Sequence, residues 1–151
     1  MAKQSAGLLP YRRVGAQIEV LLVHPGGPFW QKKDAGAWSI VKGELDEDED
    51  TLDAAQREFL EETGITPVGE MLPLSPVRQK NGKIVHAWAV AMDVDATQVR
   101  SNMIAIEWPP RSGRMIDIPE IDRAEWFDIA TAREKIIPAQ RAFVDELEGL
   151  L

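Results

Sequence analysis

Glu58, Glu61 and Glu62 stand at i, i+3 and i+4 within Gly43–Ile65, GELDEDEDTLDAAQREFLEETGI, a stretch that holds ten acidic residues and two glycines. On a helix of 3.6 residues per turn the three glutamates cover an arc of roughly 100°. Carboxylates so close repel one another and raise each other's pKa. A helix gains no stability from that arrangement alone. A divalent cation removes the cost, and hard oxygen ligands suit magnesium, manganese or calcium. Arg57 adjoins the arc, and its planar fork can grip a carboxylate at two points. Glu49, one to two turns earlier, is its candidate partner. Gly43 permits close backbone approach to a ligand, which would leave the Lys42 carbonyl facing a metal. The competing reading is a merely solvated charged helix. The glycine, the arginine and the carboxylates at set spacings argue against it.

The elements that must hold these groups are legible around them. Residues 50–63 read as a helix, with Leu52, Ala55 and Phe59 on one apolar face and Gly64 as its C-cap. SAGLLPYRR and QIEVLLVHP read as strands joined by a turn at Val14–Gly15–Ala16, and AWSIVKG as a short strand leading into the acidic stretch. PVGEMLPLSPVRQK reads as an irregular strand. Asn81–Gly82 is a hairpin signal before the strand KIVHAWAVAMDV. MIAIEWPP is a further strand, PPRSGRMIDIPEID a loop and AEWFDI a short last strand. TAREKIIPAQRAFVDELEGLL is helical, with a break at Pro138. The expected whole is one domain, residues 1–151, with a mixed sheet, one central helix and a C-terminal helix.

Composition bounds the chemistry. The 151 residues include no cysteine, which excludes disulfides, thiolate nucleophiles and cysteine zinc sites. The N-terminal MAKQSAGLLPYRRVGAQ lacks an apolar run long enough for a signal peptide, and no stretch is long enough to span a membrane. A cytoplasmic location and no membrane partner are therefore expected. The net charge of −8 argues against a general grip on nucleic-acid backbone, so no stable nucleic-acid binding is expected. It leaves room for a small anionic ligand, because a bound cation reverses the local sign.

The acidic stretch resembles the Nudix box, G-x5-E-x7-R-E-U-x-E-E-x-G-U with U a bulky apolar residue. Gly43, Glu49, Arg57, Glu58, Phe59, Glu61, Glu62, Gly64 and Ile65 fill every specified position. Val41 stands where relatives often carry proline. The flanking strands and C-terminal helix also resemble the family, so the likeness covers nearly the whole chain. The resemblance implies a Nudix-type α/β/α sandwich and hydrolysis of a nucleoside diphosphate linked to another group. It implies Mg2+ or Mn2+ on Glu58, Glu61, Glu62 and the Lys42 carbonyl, with Arg57 orienting the glutamates and Glu49 as its structural partner. Glu58 or Glu62 would accept the proton of the attacking water. Glu120, in IPEIDRAEW, is the candidate for the further acid that many relatives draw from a loop before the last strand; a solvated loop acid is its alternative.

Outside the box, Phe29, Trp30 and Trp38 are candidates to stack on a base, with core or rim packing as the alternative. Lys32, Lys33, Arg111 and Arg114 are candidates to meet phosphates, with a solvated surface as theirs. His24, at a strand end, is not read as a catalyst. Neither a downstream proline marking ADP-ribose enzymes nor a downstream tyrosine marking dinucleoside polyphosphate enzymes is present; the one tyrosine is Tyr11. The loop PGGPFWQKKDAGAWSIVKGE resembles nucleotide and dinucleoside polyphosphate hydrolases, so the expected substrate is a nucleoside polyphosphate. The alternatives are an ADP-ribose or nucleotide-sugar pyrophosphatase and a non-catalytic nucleotide sensor. An isoprenoid diphosphate isomerase would need the cysteine this chain lacks. A monomer and a homodimer are equally open.

Overall fold

A computed structural model describes residues 3–151. The main sheet runs β4 (Met71–Arg78), β5 (Ile84–Ala91), β1 (Gln4–Val14), β2 (Gln17–Pro25), β8 (Ile121–Asp128). β1 is its axis. One edge pairs in parallel with β5, from Gln4↔Ile84 to Tyr11↔Ala91. The other edge is shared, with β3 (Val41–Glu44) against Ser5–Leu8 and β2 against Tyr11–Val14. β8 pairs antiparallel along the other edge of β2, from Glu19↔Asp128 to Pro25↔Ile121.

Alternation along the strands supplies both layers of a sandwich. Ala6, Leu8, Val23, Val41 and Val90 pack with Ala54, Ala55 and Phe59 of α1 (Thr51–Thr63) on one face. Leu9, Val20, Leu22, Trp38, Ile40 and Phe127 pack on the other face with α2 (Ile129–Lys135) and α3 (Arg141–Leu150). The α/β/α sandwich and the mixed sheet are those expected. The break at Pro138 is a one-turn 3₁₀ helix, Pro138–Gln140.

Three expectations need correction. Leu52 is only half-buried, and Ala54 takes its place in the buried face of α1. The helix is thus rotated so that small side chains sit against β1. The segment read as a loop contains β7 (Met115–Pro119), which pairs antiparallel with β6 (Met103–Glu107) in a separate two-stranded sheet. Prolines and glycine at the hairpin tip masked a five-residue strand whose alternation is plain only beside its partner. The last strand is also longer than AEWFDI, starting at Ile121.

α1 begins where Asp50 accepts hydrogen bonds from the Leu52 and Asp53 amides, at 3.2 and 3.3 Å. It ends at Gly64, whose φ of 76° suits glycine and whose N–H donates to the Leu60 carbonyl. The acidic arc is therefore fixed in length and register. Among the described residues no helix is long and apolar enough to cross a membrane.

Candidate functional site

Arg57 is the hub of the acidic cluster. Its Nε and Nη2 donate to the two oxygens of Glu49 at 2.8 and 2.9 Å, the two-point grip expected from the sequence. Nη1 donates to Glu58 Oε1 at 2.8 Å and to Glu61 Oε2 at 3.1 Å. Nη2 also reaches the Glu44 carbonyl at 3.2 Å, tying helix to strand end. Beside this guanidinium the Glu49 carboxyl is lowered to about 2.

The three box glutamates sit in three environments. Glu61 is half exposed, at 51% of its side chain, and Glu58 is 13% exposed. Glu62 is 4% exposed, and its Oε2 is buried without a hydrogen-bond partner. Burial pushes the Glu62 carboxyl up to about 10, helped by the adjacent Glu120 carboxyl and the charge of Glu58, and opposed by Lys42. Burial likewise raises Glu58, against the pull of Arg57.

Gly43 shows why this position carries no side chain. A Cβ there would lie 2.0 Å from Glu58 Oε2 and 2.1 Å from Glu58 Cδ, so the carboxyl fills the space that the missing methyl leaves. The Glu58 carboxyl is thus pressed against the backbone just after Lys42.

A cleft of about 210 Å³ opens over the buried end of the arc, lined by Trp30, Lys42, Glu62, Glu120, Ile121 and Ile137 among others. Glu120 and Trp30, named from the sequence, thus meet Glu62 in one cavity. Lys42 enters by its side chain as well as its carbonyl. Burial and the nearby Lys83 charge lower its ammonium, while Glu62, Glu120 and Glu44 work against that shift.

The other candidates stand apart. Lys32 is exposed outside the cleft lining, and Lys33 places its ammonium 4.9 Å from the Phe29 ring centre. Phe29 is exposed and meets Trp30 edge-on at 5.0 Å, whereas Trp38 is buried in the core. Arg111 and Arg114 are exposed at the tip of the β6–β7 hairpin and do not line the cleft.

Three residues of the site carried no sequence signal. Asn102 donates from Nδ2 to Glu120 Oε1 at 3.2 Å and is 18 positions away. Ile137 supplies an apolar wall from the α2–α3 connection. Gln140, wholly buried, accepts the Ile40 N–H at 3.0 Å and donates to Ser39 Oγ and Gln79 Oε1 at 3.1 and 3.0 Å. It holds the backbone that leads into Lys42.

The donor set fits a hard divalent cation: oxygen ligands only, a buried carboxyl oxygen lacking a partner, and a glycine cradle that brings Glu58 onto the backbone. Among the described residues no three acidic or imidazole side chains form a preformed cage. Glu58 and Glu61 each turn one carboxyl oxygen toward Arg57, Oε1 and Oε2 respectively.

Comparison with known proteins agrees with the geometry. The family model for the NUDIX domain matches residues 1–147. The chain is 35% identical to an RNA pyrophosphohydrolase of Bartonella henselae, over 93% of this chain and 92% of that protein. It is 30% identical over 122 residues to an octanoyltransferase of Myxococcus xanthus, of which it spans 30% of the length. A solved structure of a C. elegans Ap4A hydrolase binary complex superposes with a TM-score of 0.67 at 22% identity, over 97% of this chain and 96% of that one.

Proposed function

The chain belongs to the Nudix family of pyrophosphohydrolases, and from that premise we propose that residues 1–151 form a single catalytic domain that cleaves a diphosphate linkage in a nucleoside polyphosphate, with Mg2+ or Mn2+. The observation that carries this reading is Glu62: a carboxyl oxygen buried without a partner at the floor of a cleft, with Glu58, Glu120 and Lys42 around it. Such a group is costly in a resting fold and useful only where a ligand completes it. The Bartonella relative is named for RNA pyrophosphohydrolysis and the C. elegans neighbour for Ap4A hydrolysis. The charge of −8 turns the choice toward a small nucleotide over a long polyanion.

Glu58, Glu61, Glu62 and the Lys42 carbonyl would hold the cation. When bound there, the cation would supply positive charge to the diphosphate and acidity to the attacking water. Arg57, anchored by Glu49, sets where Glu58 and Glu61 point. Glu58 and Glu62 are the carboxylates available to take the proton of the attacking water, and Glu120, oriented by Asn102, stands beside Glu62 as an auxiliary acid. Trp30 and Ile137 give the apolar wall for a base, and Lys42 the positive charge for a phosphate oxygen.

Magnesium would be added to the purified chain with triphosphates, diadenosine polyphosphates, a 5′-triphosphate oligonucleotide, ADP-ribose and nucleotide sugars, and the products separated by chromatography. Cleavage of a nucleoside polyphosphate by the intact chain, abolished by chelator and by Glu62→Gln, is the expected result. Cleavage confined to ADP-ribose or a nucleotide sugar would overturn the substrate class. No cleavage together with a nucleotide-dependent rise in Tm would put a sensor in place of an enzyme.

A further inference from the structure

His24 is wholly buried at the end of β2, and the chemistry above makes no use of it. Its ring joins two segments far apart in sequence. Nε2 donates to the Lys33 carbonyl at 2.6 Å. Nδ1 lies 2.8 Å from Asp122 Oδ1. A carbonyl can only accept, so Nε2 carries the hydrogen of that bond, while Nδ1 pairs with the Asp122 carboxyl. Trp38 meets the ring edge-on at 5.2 Å and restricts its swing.

Each joined segment carries a residue of the cleft. Lys33 closes a turn on Trp30, with its N–H donating to the Trp30 carbonyl at 2.9 Å, and Trp30 lines the cavity. Asp122 lies two residues after Glu120, which also lines it. The backbone adds a second tie, the Gly26 N–H donating to the Glu120 carbonyl at 3.0 Å. Lys33 is a surface residue whose carbonyl water could satisfy; a buried imidazole holds it instead.

We propose that His24 is a positioning residue that fastens the Trp30 turn to the Glu120 segment and so sets the width of the cleft. This rests on the cleft being the substrate site proposed above. In His24→Phe the ring and its Trp38 contact remain while both hydrogen bonds go; in Asp122→Asn the acceptor oxygen remains while the charge goes.

The test is amide exchange on the full chain together with kinetics on diadenosine tetraphosphate and magnesium. In His24→Phe, residues 30–34 and 118–122 should both exchange about tenfold faster or more, with α1 unchanged. KM should rise about tenfold and kcat stay within about threefold, and His24→Phe should add nothing to KM in a Trp30→Ala background. Unchanged exchange in both segments, or KM effects that multiply in the double variant, would overturn the fastening. Should His24→Phe fail to fold, Asp122→Asn carries the same reading with about threefold effects. If the wild type does not cleave the dinucleotide, the functional reading fails on its own, and the exchange result still decides whether His24 is the fastener.

Discussion

At Glu62 burial and charge are opposed, and the opposition has a measurable sign. Its carboxyl is raised from 4.5 to about 10, so across that window the folded chain keeps a proton that the unfolded chain has released. The stability that proton gives is fully present below 4.5 and is lost as pH rises toward 10. In chelator, therefore, Tm should decline between pH 6 and 9 in the wild type and more shallowly in Glu62→Gln. Magnesium at pH 8 should raise the wild-type Tm by roughly 3 °C or more and leave the variant unmoved; equal responses of the two would remove Glu62 from the cation site. The variant should also lose activity by about a hundredfold or more. The spacing of Glu58, Glu61 and Glu62 was readable from the letters, but not their burial, which runs from 4% at Glu62 to half exposed at Glu61. An arc on a helix says which residues are neighbours. Which edge of it meets the sheet depends on how α1 is rolled, and Ala54 in place of Leu52 shows that roll. Lys42 was read for its carbonyl alone, because a single lysine beside a glycine says nothing of two carboxylates approaching from residues 62 and 120.

The loop, strand and helix that make the box are locked by two contacts, each open to substitution. Gly43→Ala would put a methyl 2.0 Å from Glu58 Oε2, the far end of a flexible side chain that can swing away. Folding should survive, with Tm within about 3 °C, while activity falls by about a hundredfold as Glu58 leaves its place. A collapsed fold would instead mean that the glycine serves β3. The second lock is Arg57 on Glu49, which joins the loop before α1 to its second turn. Glu49 is lowered from 4.5 to about 2, so its contribution is present above pH 4.5 and is lost as pH falls through 2. Acid titration of Tm should therefore show the wild type leading Glu49→Gln at pH 5, with the lead shrinking toward pH 2. At this scale the legible parts were those with local signals: Asp50 and Gly64 bounding the helix, Asn81–Gly82 at the hairpin, Pro138 breaking the C-terminal helix. β7 was missed because its evidence lies in β6, and propensity carries no record of a partner.

Across the whole molecule the site depends on a helix that does not line it. α3 lies near the end of the chain, yet Phe143, Val144 and Leu147 are wholly buried on the face of the sheet opposite α1. Phe143→Ala should cost about 3–5 kcal/mol and lower Tm by roughly 10 °C, with residual activity tracking the folded fraction. A normal Tm with lost activity would instead link α3 to the chemistry. The sandwich was legible from strand alternation and helix periodicity. The way the C-terminal connection joins the cleft was not, since Gln140 reaches residues 39, 40 and 79 by contacts without any period. The end of α2 and the end of β2 together clasp the long loop after β2. Ser39 exchanges both backbone hydrogen bonds with Val23, the Gly36 and Trp38 amides donate to the carbonyls of Glu134 and Lys135, and His24 takes the Lys33 carbonyl. On the loop's side every one of these bonds is made by main-chain atoms, which any residue possesses. The side chains from Phe29 to Lys32 take no part in the clasp, so substitution or grafting there should alter the cleft lining at Trp30 while the fold is kept.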